Sequence, residues 1–262
     1  MIVEFFKYLT TPATPIAKKL GQLQEAIAMQ ARYKRHKTQW EPHLVNSRES
    51  VKFSANGIHP EKDIIILGSG LLLDIPINFL SGNFNHVYLV DVVHLRKIRS
   101  LCKNKSNVSL VEHDVTGFSQ SLLSKNTKNK SLNMQASIPC LTENTGLIIS
   151  ANMLSQIHLA PVYYAEKALN YNDEQIAHLA TKIMQDHIDL LNSARPQCCL
   201  IADHKRLYKD KLQNIVDIEM VFSDADFPEP DRTWYWEIAP KGELERNVSM
   251  TSEVFAYYNF SK

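Results

Sequence analysis

From residue 61 onward the chain repeats one pattern: a short run of Ile, Leu and Val ends in polar residues, a helical stretch follows, and another apolar run begins. That alternation restricts the fold more than any other feature, because it is the signature of β-α units and a mainly parallel sheet. Strands are expected at 63–67 (DIIIL), 86–91 (HVYLVD), 107–112 (NVSLVE), 146–151 (GLIISA) and 197–202 (QCCLIA). Their continuous apolar character marks strands covered on both faces. A crossing helix is expected from Asn172, an N-cap with Gln175 three residues later, to Arg195-Pro196. The tail offers three more strands, near 214–222, 232–239 and 249–259. The turn Pro240-Lys241-Gly242-Glu243 makes the last two antiparallel.

Composition removes several classes. The chain has 262 residues, of which 44% are hydrophobic and 22% charged, as in ordinary folded domains. Twenty-nine basic residues against twenty-eight acidic leave a net charge of +1, so a general nucleic-acid enzyme is not favoured. Cys102, Cys140, Cys198 and Cys199 form no C-x-x-C pair and no zinc spacing with histidine; no metal is expected, and a reduced, cytoplasmic compartment fits. The start, MIVEFFKYLTTPATP, has no basic region followed by an apolar one, so secretion is not expected. The longest apolar run, Ile64 to Leu80, carries Gly68, Gly70, Asp74, Pro76 and Asn78, and no membrane span is expected.

The expected organisation is an N-terminal helical cap or appendage over 1–60 and the α/β domain over 61–262, with 115–145 as a mobile insertion rich in Ser, Asn and Lys. Within the cap, residues 14 to about 37 read as one amphipathic helix, with Thr14 as N-cap, Pro15 in the first turn and Ile16, Leu20, Leu23 and Ile27 at helical spacing. Residues 1–60 carry nine Lys/Arg against four Glu, most densely at Arg32 to Lys37, which reads first as a solvated helix face and second as a patch for an acidic substrate or nucleic acid.

Only eight glycines occur, and two fall where the first strand ends, in Leu67-Gly68-Ser69-Gly70. A buried strand running into Gly-x-Gly and then a helix lets a ligand approach the backbone and offers it helix N-terminal amides. The second strand closes with Asp91, 21 residues after Gly70, where an acid accepts hydrogen bonds from ribose hydroxyls in nucleotide-binding folds. The third strand leads to Glu112-His113-Asp114, and a carboxylate there suits the exocyclic amine of an adenine. The fourth ends in Ser150-Ala151-Asn152. Ligands of open α/β sheets sit outside the carboxyl ends of the strands, so these four ends are expected to converge on one crevice.

On these residues the chain, over roughly 61–260, resembles the class I S-adenosylmethionine-dependent methyltransferases. The resemblance implies a Rossmann-like, mostly parallel seven-stranded sheet with an antiparallel C-terminal strand. It further implies that Gly68, Ser69 and Gly70 line the methionine part of the cofactor, Asp91 holds the ribose and Asp114 meets the adenine. Asn152 is implied near the reacting methyl group. The chain departs from the family at Ile66, where an acid is usual, and at Leu72, where a third glycine is usual. Ile66 accepts no hydrogen bond, and Leu72 is expected to crowd the loop. Ser150-Ala151-Asn152-Met153 replaces the Asn-Pro-Pro-aromatic signature of amino-group methylators, so nitrogen of DNA bases or of glutamine is not the favoured acceptor.

Methyl transfer is an in-line displacement that depends mainly on orientation and exclusion of water, and some acceptors also need a base. The candidates are His158, after the fourth strand, and Asp203 and His204, at the end of the fifth. Tyr163, Tyr164, Trp234 and Trp236 are candidates for a substrate wall or for core. The function expected is an S-adenosylmethionine-dependent methyltransferase acting on a small molecule or a protein. The alternatives are a catalytically inactive binding module of the same fold and an NAD-dependent oxidoreductase, whose fingerprint wants a small residue where Leu73 stands.

Overall fold

The computed structural model describes residues 2–123, 132–222, 227–244 and 248–260. Four helices come first: α1 (Ile2–Thr10), α2 (Pro15–Lys19), α3 (Gln22–Arg35) and α4 (Lys37–Ala55). β1 (Asp63–Leu67), α5 (Ile77–Asn83), β2 (His86–Asp91), α6 (Arg96–Cys102), β3 (Val108–Glu112), α7 (Phe118–Leu123) and β4 (Thr145–Ala151) follow. Then come α8 (Leu159–Leu169), α9 (Asp173–Ser193), β5 (Gln197–Lys209), β6 (Ile215–Met220), β7 (Arg232–Ala239) and β8 (Ser249–Tyr257).

The strands form one sheet in the order β3-β2-β1-β4-β5-β8-β7, with β6 paired to β5 off that path. β3, β2, β1, β4 and β5 run parallel, and β8 is antiparallel to both its neighbours. The Rossmann-like doubly wound sheet with a reversed last strand is therefore present, with eight strands among the described residues rather than seven. The eighth exists because β5 continues past residue 202 to Lys209, beyond the end of β4. There β6 takes the free edge, pairing Lys205 with Met220 through Lys209 with Ile215.

Alternation along β1 sends Ile64 and Ile66 to one face of the sheet and Ile65 and Leu67 to the other, all fully buried. On the first face lie α4 and α5, with Trp40, Leu44, Val51 and Leu80 packed against Trp234, Trp236 and Val254. On the second lies α9, contributing Ile188 and Leu191 against Ile148, Leu200 and Phe260. Tryptophans 234 and 236 thus complete a core: Trp40 meets Trp236 edge-on at 5.2 Å and donates its indole N–H to the Ile238 carbonyl at 3.1 Å. The capping box at Asn172 and Gln175 forms as its spacing implies, and α9 carries the chain from the fourth strand to the fifth.

The N-terminal segment differs from the single helix expected over 14–37. Thr14 caps it, accepting from the Ala17 amide at 3.2 Å, but the chain turns at Leu20-Gly21 and again at His36. α4 then lies along the sheet as a core layer. Where α3 ends, Glu243 of the β7–β8 turn gathers Arg32, Arg35 and His36 at 3.1, 2.6 and 2.6 Å, and this basic cluster holds its carboxyl down at about 2. Part of the basic face is thus an internal clamp. The segment expected as a mobile insertion supplies α7 and puts Phe118 and Met134 in a core cluster with Leu20, Leu179 and Ile183; its residues 124–131 lie outside the described residues.

Candidate functional site

Gly68 and Gly70, Asp91, Asp114 and Asn152 come from the carboxyl ends of β1, β2, β3 and β4, and all line one cavity of about 320 Å³. The cavity opens beside the switch between β1 and β4, the neighbours from which the sheet winds in opposite directions. α3 covers it with Gln22, Glu25, Ala26 and Met29, and the stretch after β4 walls it with Met153, Gln156 and Ile157. The sequence reading of 1–60 as a cap or appendage names none of these four α3 residues.

Both glycines adopt the left-handed backbone, φ +69° at Gly68 and +49° at Gly70. At Gly68 the approach is close: a β-carbon there would lie 2.9 Å from the Met153 sulfur. The loop's amides are already engaged. Gly68 and Ser69 both donate to the Val90 carbonyl, at 3.0 and 3.1 Å, and Gly70 donates to Asp91 Oδ2 at 2.7 Å. The helix expected directly after the glycines starts only at Ile77, after a stretch of turns ending in Pro76. No helix N-terminus therefore faces the cavity from this loop, which corrects the sequence expectation. Ser69 turns its side chain inward, 1% exposed, and is not part of the wall.

Asp91 faces the glycine turn. Besides Gly70 it accepts from the Val93 amide at 3.4 Å, and desolvation raises its pKa, which the hydrogen bond from Gly70 opposes. A carboxylate offers about four lone-pair positions, so acceptor capacity remains. Asp114 lines the cavity but folds its own loop first. Oδ1 accepts from the Thr116 amide and hydroxyl at 3.0 and 2.6 Å, and Oδ2 accepts from the Ser119 amide at 2.8 Å in the first turn of α7. Glu25, Asp91 and Asp114 are the carboxylates of the lining, and no Lys or Arg occurs among the described residues that line it.

The two departures from the family pattern have local explanations. Ile66 points into the α4 face of the core, fully buried. Leu72 keeps the backbone a glycine would take, φ +55°, and sends its side chain into the same core, 8% exposed. It does not crowd the cavity.

The candidate bases lie elsewhere. His158 sits between the lining residues Ile157 and Leu159 without lining the cavity itself; burial and then Arg206 lower its pKa. His204 stacks on Phe255 at 4.3 Å, with Nδ1 3.1 Å from Glu253. Asp203, fully buried, takes long contacts of 3.4 Å from Arg206 and from the Ser252 hydroxyl. Asp203 and His204 belong to the β5–β8 structure because β5 extends beyond the rim, whereas His158 is the residue before α8. Tyr163 is 62% exposed, and Tyr164 packs edge-on to Phe118.

A group that sequence reasoning missed lies behind Asn152. Asp74, in the turns after Gly70, places Oδ2 2.6 Å from the Asn152 side-chain amide, and His43 of α4 places Nε2 3.3 Å from the same amide atom. His43 is 1% exposed, stacks on Trp236 at 3.9 Å and accepts from the Trp234 indole N–H at 3.0 Å; burial lowers its pKa to about 3. Asn152 itself is left-handed, φ +54°, a conformation asparagine tolerates better than most residues.

No protein-family model matches the chain, and no curated protein matches it. Among solved structures it is similar to the N-methyltransferase NodS from Bradyrhizobium japonicum WM9 in complex with S-adenosyl-L-homocysteine. The identity is 12%, with 81% of this chain and 86% of that one covered and a TM-score of 0.37. It is similar to DhpI in a SAM and HEP complex at 12% identity, covering 92% and 99%, with a TM-score of 0.38. It is also similar to the 23S rRNA methyltransferase ErmE at 8% identity, covering 82% and 68%, with a TM-score of 0.32. None of the described helices is long and apolar enough to cross a membrane.

Proposed function

We propose that the chain is an S-adenosylmethionine-dependent methyltransferase whose acceptor is a small molecule. One observation carries this reading: the cavity at the strand ends is lined by three carboxylates together with apolar and neutral polar groups, and no Lys or Arg lines it among the described residues. Such a lining favours a ligand that carries positive charge. S-adenosylmethionine, when bound, supplies an electrophilic methyl group on a sulfonium and also carries an ammonium group.

The residues present fit that ligand. Gly68 and Gly70 keep the floor free of β-carbons, and Asp91 retains acceptor capacity for ribose hydroxyls. Asp114 fixes the Thr116 turn and α7, so its part toward an adenine is to hold the wall of Val115 and Thr116 as well as to offer a carboxylate edge. Met29, Met153 and Ile157 give the cavity apolar walls, which suit a displacement that depends on orientation. With His158, Asp203 and His204 outside the cavity, His113 is the histidine of the lining among the described residues, its Nε2 2.9 Å from the Ser137 hydroxyl, and an acceptor that needs a base is expected to find it there.

The same observation disfavours an NAD-dependent oxidoreductase. A pyrophosphate calls for cationic side chains or free loop amides; no Lys or Arg lines the cavity among the described residues, and the amides of residues 68–70 are already donated within the protein. The test is incubation of the full chain with methyl-labelled S-adenosylmethionine and a cell lysate, followed by separation of small molecules from macromolecules. Label in the small-molecule fraction is expected. Label only in RNA or protein refutes the acceptor class, and no transfer to any fraction favours the inactive binding module.

A further inference from the structure

One assignment of protons gives every close polar contact behind Asn152 both a donor and an acceptor. The Trp234 indole N–H is a donor only, and it points at His43 Nδ1, so that nitrogen carries no hydrogen. A neutral imidazole then bears its hydrogen on Nε2, which makes His43 Nε2 a donor. Its neighbour at 3.3 Å is the inner atom of the Asn152 side-chain amide, which must therefore be the oxygen. Amide oxygen and nitrogen are told apart by such networks, not by shape. That oxygen lies 2.6 Å from Asp74 Oδ2, a separation two oxygens adopt when a proton lies between them. The remaining amide position of Asn152 is buried, has no partner among the described residues, and belongs to a residue that lines the cavity.

We propose that Asp74 is a neutral carboxylic acid at neutral pH that donates to the Asn152 side-chain carbonyl, so that Asp74 and His43 together hold the Asn152 NH2 as a donor for the ligand of the cavity. Asp74 is thus a positioning residue acting through Asn152. The ligand group it selects is a lone-pair oxygen, carboxylate or carbonyl, and an ammonium is rejected there. The charges around Asp74 agree. Desolvation is the largest influence on its pKa and raises it; Arg48 of α4 opposes this, but its guanidinium is engaged with the Leu73 carbonyl and Glu41 at 2.7 Å each. His43, also from α4, stays neutral because burial holds its pKa near 3. Within the reading of the cavity given above, the oxygen comes from the amino-acid end of the cofactor or from the methyl acceptor.

The proton assignment is tested without any ligand. Carbon-13 spectra of the aspartate-labelled full chain, with Asp74 identified by its loss in Asp74→Asn, are expected to show one carboxyl that stays protonated when the ordinary aspartates have ionised. Nitrogen-15 spectra of the unaltered protein are expected to show His43 as the Nε2–H tautomer, a reading that stands even if Asp74→Asn fails to fold. An ionised Asp74 at neutral pH, or the Nδ1–H tautomer of His43, overturns the proposal. The ligand half is tested with Asn152→Asp. A loss of about tenfold in S-adenosylhomocysteine affinity assigns the oxygen to the cofactor. Unchanged affinity with loss of labelled methyl transfer assigns it to the acceptor, and no change in either overturns this half. Should the unaltered protein bind no S-adenosylhomocysteine, the methyltransferase reading fails while the spectra still decide the state of Asp74.

Discussion

Alanine substitutions at the two glycines of the β1 loop separate backbone strain from steric contact. Gly70 has φ +49°, and a β-carbon there meets nothing nearer than the Gly68 carbonyl oxygen at 3.7 Å. Gly70→Ala is therefore expected to cost only the left-handed penalty of about 1–2 kcal/mol. Gly68 has φ +69°, and its β-carbon would lie 2.9 Å from the Met153 sulfur and 3.1 Å from two Met153 carbons. Met153 is flexible and must move, at a further cost of about 1 kcal/mol. Gly68→Ala is thus expected to lose about 2–3 kcal/mol, and also to reshape the cavity, since Met153 lines it. Urea unfolding at constant slope reads both values. In a Met153→Ala background the excess at Gly68 should vanish, leaving the cost of Gly70→Ala. If both alanines cost the same in the unaltered background, or if Met153→Ala gives no rescue, the close approach of Gly68 to Met153 is refuted.

The clamp on α3 gives a pH signature. Glu243 is depressed to about 2 in the fold, so its stabilisation is present above the unfolded carboxylate value near 4.5 and is lost as pH falls toward 2. Glu243→Gln should cost about 2 kcal/mol at neutral pH and converge with the unaltered protein in acid; parallel stability curves would refute the clamp. Trp40→Ala, which empties a site 2% exposed between α4 and β7, is expected to cost about 3–5 kcal/mol in thermal or urea unfolding. A loss under about 1 kcal/mol would show that α4 is not a core layer. Leu72→Gly relieves about 1–2 kcal/mol of left-handed strain but removes a buried side chain worth about 2–5. Net destabilisation is expected, and a more stable variant would contradict the packing of Leu72.

The parallel half of the sheet was legible because its strands are unmixed Ile, Leu and Val runs, as in Ile64 to Leu67, and such runs fit only a strand buried on both faces. The rim was legible for the same reason: once the strands are placed, Gly68, Asp91, Asp114 and Asn152 must share one edge. α4 was not read, although Trp40, Leu44, Val51 and Ala55 fall on one helical face, because Ser47, Ser50 and Ser54 fill that face between them and lower its apolar signal. Pro42 inside it also argues locally against a helix. The extension of β5 was hidden because Asp203, His204, Lys205 and Arg206 are polar. They stay in the strand because antiparallel β6 and β8 pair with it there. Asp74 escaped notice because its role depends on α4, which brings His43 up beside Asn152 from 109 residues away in sequence.

The central claim is that the four strand ends form a site for an adenosine-bearing cation, with Asp91 as the principal polar contact. Titration calorimetry of S-adenosylhomocysteine into the full chain and into folded Asp91→Ala tests it most directly. The account predicts saturable binding at one site per chain and a loss of at least about tenfold on removal of the carboxylate. No heat with the unaltered protein, or equal affinity without Asp91, would contradict it.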